Sequence, residues 1–277
     1  MTILQAIILG IVQGITEFFP ISSSAHLIVI RYLFNFGTHM TSEQWLVIDI
    51  ALHFGTLLAI GIFFFKDFIN MFKEGFKLKG KDGKLSFKHL THEGKLLWYI
   101  ILASIPGGLA GVLLDDFIEG TVRGNVLIIA TTLTIMGILL YFIDKKCKKE
   151  VDVENISLKQ AFLIGVGQMF AIIPGFSRSG TTMTVARTMG LKREAAAKFS
   201  FLLGAPAMLG AAVFSLKHFE LSMLNFEFFL GIFVSFVVGL IAIKTLMEIV
   251  KKSGFGVFAI YRVLIAIVLV VTYIVRM

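Results

Sequence analysis

Two short stretches of this sequence gather residue types that act on anions, and each lies inside an apolar run. The first is Gln13-Gly14-Ile15-Thr16-Glu17-Phe18-Phe19-Pro20-Ile21-Ser22-Ser23-Ser24-Ala25-His26. Gln13 and Glu17 are four residues apart and share a helix face. A carboxylate within such a run is costly and marks a functional candidate; the plainer account is a Glu near a helix end that reaches water. Ser22, Ser23 and Ser24 suit the N-cap of a returning helix. Capping needs one serine, not three followed by a histidine. His26 is a candidate nucleophile or proton-transfer group, although a lone buried histidine more often only packs.

The second stretch is Pro174-Gly175-Phe176-Ser177-Arg178-Ser179-Gly180-Thr181-Thr182. It places a guanidinium, hydroxyls and a glycine where a helix begins. Helix N-termini present free N–H groups and the positive end of the dipole, which suits phosphate. Arg178 adds a fork for phosphate oxygens, and Gly180 lets backbone approach an anion. Ser177, Ser179 and Thr182 complete the phosphate-binding candidates. The bland alternative is a serine-rich packing seam with a snorkelling arginine. The two stretches are complementary. One offers a carboxylate and a base, the other a cation and donors. A divalent metal, Mg2+ or Ca2+, held by Glu17 and substrate phosphate oxygens is an ordinary arrangement. Gln13 offers an amide oxygen without charge. Asp49 and His53, four apart on the next apolar run, suggest either a metal role for Asp49 or a polar seam facing the breaks.

The elements that must position these residues follow from composition. The 277 residues are 57% hydrophobic and 16% charged, with a mean hydropathy of +0.87. That is the membrane class. Six runs are long enough to span, roughly 44–65, 96–114, 124–143, 195–215, 226–249 and 257–275. The runs 3–34 and 158–190 are each interrupted by a Pro-Ser break and read as re-entrant helical hairpins. Gly10-Ile11-Val12-Gln13 parallels Gly165-Val166-Gly167-Gln168. The fold class expected is therefore an all-α polytopic membrane protein. Its single domain, 1–277, holds two repeats, about 1–143 and about 158–277. Three spans reverse direction, so the second repeat is inverted, with the site where the halves meet.

Charge places the faces. The net charge is +8, but the lysines cluster in loops, which is a topology signal rather than a sign of nucleic acid. Lys66, Lys73, Lys77, Lys79, Lys81, Lys84, Lys88, Lys95, Lys145, Lys146, Lys148, Lys149, Lys192, Arg193, Lys251 and Lys252 fall on one face, and only Arg123 and Lys217 on the other. The Lys-rich loops are expected in the cytoplasm and both termini outside. The 66–95 loop is expected to serve topology and contact with anionic membrane lipids. Asp115, Asp116 and Glu119 are expected to be solvated, and Lys192-Arg193-Glu194 to anchor a helix end. Met1 to Gly10 lacks the basic stretch of a cleavable signal, and the single Cys147 excludes an intrachain disulfide.

The two motifs resemble those of the bacterial undecaprenyl-diphosphate phosphatase family, also known from bacitracin resistance. That family's first motif has Glu or Gln, then three residues, then Glu, here Gln13 and Glu17. Its second is Pro-Gly-x-Ser-Arg-Ser-x-x-Thr, here Pro174 to Thr182. The resemblance covers almost the whole chain, including Phe199-Ser200-Phe201-Leu202-Leu203. It implies six spans and two re-entrant hairpins, a divalent ion, and a site on the outer side of the cytoplasmic (inner) membrane. It implies hydrolysis of undecaprenyl diphosphate to undecaprenyl phosphate and phosphate, which recycles the carrier for peptidoglycan synthesis and bears on antibiotic resistance. Glu17, Ser23, His26, Ser177, Arg178, Ser179 and Thr182 inherit catalytic or phosphate-binding roles. Ser23, His26 and a metal-bound water stay open as the nucleophile, and a homodimer stays open as the assembly. The rival reading is a polyprenyl-phosphate transporter or flippase, since inverted repeats with broken helices are typical of transporters.

Overall fold

The computed structural model describes residues 1–37, 40–78, 86–122, 124–147, 150–214 and 224–276, without the side chains of Ser42, Asp115, Asp116 and Glu119. Lys79, Lys81, Lys84, Arg123, Lys148, Lys149, Lys217 and the three acidic side chains assigned to solvent therefore lie outside the described residues. Among the described residues the regular structure is helical, apart from one isolated bridge between Val151 and Leu191.

Eleven α-helices are described: α1 Ile3–Thr16, α2 Ser23–Phe34, α3 Ser42–Phe63, α4 Phe65–Gly75, α5 His92–Phe117, α6 Val126–Lys146, α7 Leu158–Gln168, α8 Arg178–Thr188, α9 Arg193–Phe214, α10 Phe226–Lys252 and α11 Gly256–Arg276. Helices α3, α5, α6, α9, α10 and α11 are long and apolar enough to cross a membrane, and they coincide with the six runs read from the sequence. Their outer faces remain apolar: Leu113 of α5, Phe233 and Ile241 of α10, and Ile267 and Val275 of α11 are exposed. Apolar side chains left outside across several helices are what a hydrocarbon solvent requires.

Two runs are broken where the prolines and serines stand. α1 gives way to α2 at Glu17–Ser22, and α7 passes through a 3-10 turn, Met169–Ile172, before α8 begins. Proline lacks the N–H that a continuing helix needs, and serines cap the restart. The capping serines, Ser22 and Ser177, take the same unusual backbone, with φ of 79° and 71°. A non-glycine residue at such φ costs about 1–3 kcal/mol and persists only where its surroundings enforce it. Gly175, with φ +94°, turns the second break; a Cβ there would press on the Ile129 carbonyl and Thr132.

The helices pack in matched pairs. α1 lies on α10 and α7 on α5; α3 lies on α10 and α9 on α5; α3 meets α9, and α6 meets α11. Exchanging α1, α3, α5 and α6 for α7, α9, α10 and α11 maps each of these pairs onto another or onto itself. Phe18, next to Glu17, packs edge-on against Phe201 of α9 at 5.4 Å.

One element differs from expectation. The lysine-rich 66–95 segment opens with a helix, α4, which packs on α5. Trp98 Nε1 donates to the Gly75 carbonyl at 2.9 Å, and Lys198 pairs with Asp67 at 2.6 Å. Lys66, Asp67, Lys73 and Glu74 lower its hydropathy, so a search for spans passes over it.

Two buried clusters fasten these elements. Asp144 of α6 accepts from Arg187 of α8 at 2.9 Å, from Arg193 of α9 at 2.9 Å and from the Phe255 amide before α11 at 3.2 Å. Arg193, expected to anchor at the interface, is thus half-engaged inside. Arg262 of α11 is fully buried. It donates to the carbonyls of Leu133 at 3.2 Å, Pro20 at 2.9 Å, Gly175 at 2.5 Å and Phe176 at 3.3 Å. One guanidinium therefore ties both breaks to α6 and α11. Replacing it by a similar-sized apolar side chain, Arg262→Met, would orphan carbonyls in both breaks. A buried polar group left unpaired costs about 1–3 kcal/mol, so this variant is expected to lose several degrees of thermal stability in detergent. Fluorescence-detected melting measures it, and an unchanged midpoint would remove Arg262 as the tie.

Candidate active site

The breaks place their polar residues against one another. Glu17, at the C-cap of α1, and Arg178, the first residue of α8, meet with Arg178 Nη2 2.9 Å from Glu17 Oε1. The second carboxylate oxygen, Oε2, accepts from Ser23 Oγ at 2.8 Å and from Gln13 Nε2 at 3.1 Å. His53 Nε2 of α3 lies 3.2 Å from the same oxygen. The Glu17 side chain is only 4% exposed. The local folding is simple: α1 ends on Glu17, α2 begins on Ser23, and both face the break.

Arg178 is aligned from the other side. Its Nη1 donates to the Ser200 carbonyl of α9 at 2.8 Å. Thr182 Oγ1 shares a hydrogen bond with Ser200 Oγ at 2.7 Å and donates to the Arg178 carbonyl at 2.7 Å. The guanidinium lies against Gly204, where a Cβ would overlap it. Further contacts lock the breaks: Gly175 N donates to Ser22 Oγ at 3.2 Å and Ser179 Oγ to the Phe19 carbonyl at 3.1 Å. Ser177 Oγ accepts from the Gly180 amide at 3.0 Å and lies 3.2 Å from Ser179 Oγ. Ser177, Ser179 and Thr182 are buried. Ser177 thus caps α8 from within, while Ser179 and Thr182 brace it.

Among the described residues, two buried atoms at this junction lack a hydrogen-bond partner: Arg178 Nε and Gln13 Oε1. A buried orphan costs about 1–3 kcal/mol, and each has the polarity of a ligand site. Arg178 Nε is a donor beside the N-terminus of α8, whose first-turn N–H groups lack intrahelical acceptors. Gln13 Oε1 is an acceptor beside a carboxylate. Among the described residues no three His, Cys, Asp or Glu side chains gather to hold a metal. One carboxylate with one amide oxygen does fit a hard cation that draws its other ligands from substrate phosphate and water.

Two residues take partners that their spacing does not name, and Asp49 joins a polar seam toward the first break. Asp49 gives both carboxylate oxygens to Arg31, at 2.8 and 3.0 Å, and Arg31 also lies over the Trp45 ring at 4.6 Å. Its carboxylate is therefore the partner of an arginine rather than of Glu17. His26 is buried, with Nδ1 2.7 Å from the Ser22 carbonyl and Nε2 2.9 Å from the Tyr261 hydroxyl. Both its nitrogens are engaged away from Glu17. The histidine that touches the carboxylate is His53. Its spacing from Asp49 marked the right helix face, but nothing in the spacing says that the face turns toward Glu17. Arg262 carried a plainer signal, a charge in the middle of the 257–275 run.

A buried carboxylate–guanidinium pair thus stands between two broken helices, with helix N-termini and hydroxyls around it, in a multi-pass helical membrane protein. The family model described as "Bacitracin resistance protein BacA" matches residues 6–268, and the chain belongs to that family. It is 46% identical to the undecaprenyl-diphosphatase of Caldicellulosiruptor bescii, covering 100% of this chain and 99% of that protein. It is 40% identical to that of Moorella thermoacetica, covering 99% and 98%, and 40% identical to that of Methanobrevibacter smithii, covering 97% and 96%.

The close approach at Gly204 makes a test. Gly204→Ala should push the guanidinium off α9 and weaken inorganic pyrophosphate binding by about tenfold or more, the worth of one charge-assisted hydrogen bond. Gly210→Ala on the same helix, where a Cβ meets nothing within 4 Å, should leave affinity unchanged. Calorimetric titration of the detergent-solubilised protein reads both.

Proposed function

We propose that this chain is an integral membrane phosphatase that hydrolyses undecaprenyl diphosphate to undecaprenyl phosphate and inorganic phosphate. The observation that carries this reading is the junction of Ser23, Glu17 and Arg178, with a hydroxyl 2.8 Å and a guanidinium 2.9 Å from the two oxygens of one carboxylate. The full-length similarity to undecaprenyl-diphosphatases supports the substrate.

Arg178, through Nε and its fork, binds the terminal phosphate together with the first-turn N–H groups of α8. Charge developing on the phosphoryl oxygens meets fixed donors, commonly a large part of catalysis. Glu17 accepts the Ser23 proton as Ser23 Oγ attacks phosphorus. The new O–P bond forms as the anhydride P–O bond breaks, and the lipid monophosphate leaves. Glu17 gives that proton to the departing lipid phosphate; the carboxylate, ionised again, takes a proton from water as the water oxygen bonds to phosphorus and the Ser23 O–P bond breaks, and Glu17 returns this proton to Ser23 Oγ as inorganic phosphate leaves. The Ser23–Glu17 contact favours Ser23 over His26, whose nitrogens face Ser22 and Tyr261. A divalent ion, Mg2+ or Ca2+, would be held by Glu17 and Gln13 Oε1 together with phosphate oxygens, where it would polarise the phosphoryl group.

The same reading places the chain in the bacterial cytoplasmic membrane, with the Lys-rich loops in the cytoplasm and both termini outside. The broken pairs α1–α2 and α7–α8 are re-entrant hairpins of an inverted repeat. The matched helix pairs and the twin serine caps support that symmetry. Transport of a polyprenyl phosphate would need the anion pocket but has no use for a serine hydroxyl aimed at a carboxylate.

Purified protein in detergent, without any gradient, is expected to release phosphate from undecaprenyl diphosphate, and a chelator is expected to suppress release. Arg178→Ala should lower turnover by about a thousandfold, the usual scale for a lost transition-state donor, at unchanged abundance in the membrane. Turnover retained in that variant would take Arg178 out of the mechanism. Absence of release by the unmodified protein with added Mg2+ or Ca2+ would leave the transporter.

A further inference from the structure

We infer that His53 is a positioning residue for the Ser23–Glu17 pair, holding the Glu17 carboxylate in the orientation that receives the serine proton. This rests on the phosphatase reading above and adds to it a third element, α3, which neither motif contains.

The geometry is that of a strut. His53 Nδ1 lies 2.6 Å from the Asp49 carbonyl one turn earlier in α3, and Nε2 lies 3.2 Å from Glu17 Oε2. Both nitrogens lie within hydrogen-bond reach of an oxygen. The ring joins a fixed helix backbone to a carboxylate that stands at a helix break. α3 is itself tied down. The Asp49 carboxylate is clasped by Arg31 of α2, and Ser235 of α10 donates to the Leu52 carbonyl at 2.6 Å. Thr56 Oγ1 donates to the His53 carbonyl at 2.9 Å. His53 thus carries the rigidity of two long helices to Glu17.

The division of labour on the carboxylate follows. Among the described residues Oε1 is addressed by Arg178 alone, and Oε2 by Gln13, Ser23 and His53. Arg178 fixes the side facing the bound phosphate, while His53 and Gln13 fix the oxygen that takes the proton. Without His53 the Oε2 edge can turn away from Ser23 while the Arg178 contact persists. Binding would then survive and the chemical step would suffer, because a displacement of about 1 Å at a reacting group can cost about a hundredfold.

The test is a split between kcat and KM, with a conservative rescue. His53→Leu is expected to lower kcat for undecaprenyl diphosphate by at least about tenfold, while KM stays within about twofold. His53→Gln, whose amide can reach Glu17 as a donor, should recover most of kcat. His53→Met serves beside His53→Leu as a second donor-free variant, and size-exclusion profiles identify which of them fold. Wild-type kcat in a folded donor-free variant would overturn the strut. So would equal loss in His53→Gln and His53→Leu, since that pattern belongs to ring packing. Either result beside normal wild-type turnover leaves the phosphatase reading standing, whereas silence of the wild type would strike at that reading itself.

Discussion

The structure turns on one desolvated contact, Glu17 with Arg178, made across 161 residues of chain. Removing two charges from water costs several kcal/mol per ion, so a buried pair is a poor device for stability alone. It persists only when its remaining lone pairs and protons are met. Here Ser23, Gln13 and His53 attend the carboxylate, and Ser200 attends the guanidinium. Arg178 Nε and Gln13 Oε1 are left over. A purely structural pair would not be expected to keep orphaned atoms on both of its flanks. The arrangement is that of a site whose last bonds belong to a ligand.

The broken helices make the contact feasible. A continuous helix satisfies its own backbone and offers nothing at mid-depth, whereas a broken one exposes four N–H or four carbonyl groups at each new end. The chain sorts these ends by sign. The N-termini of α2 and α8 border the Glu17 carboxylate, where negative charge is favoured. The carbonyls of Pro20, Gly175 and Phe176, within the breaks themselves, receive Arg262. Two cations thus serve the same breaks, Arg178 on the carboxylate and Arg262 on the backbone.

Much of this was legible in the sequence, for physical reasons that also mark the limit. A span needs about 20 apolar residues, so six helices could be counted directly. Proline followed by serines forces a stop and a restart, so both breaks could be placed, and with them Glu17, Ser23 and Arg178. What escaped was whatever depends on how helices rotate about their axes. Asp49 and His53 sit one turn apart, yet one goes to Arg31 and the other to Glu17. His26, next to the serines in sequence, turns to Tyr261 of α11. The helix α4 escaped because its charges make it resemble a loop. Arg262 and Asp144 stood in view as charges in or beside apolar helices, but their partners are backbone groups and residues distant in sequence.

The position of Arg262 has a bearing on how such a protein matures. Both breaks, and every residue that addresses Glu17, come from helices that leave the ribosome before α11. Domains are generally built from the N-terminal end during synthesis, so Glu17 and the residues that address it are all made before the guanidinium that ties the two breaks. Until α11 arrives, the carbonyls of Pro20, Gly175 and Phe176 have no cation to receive. The packing of the two breaks on one another is therefore completed only by α11, the last of the described helices.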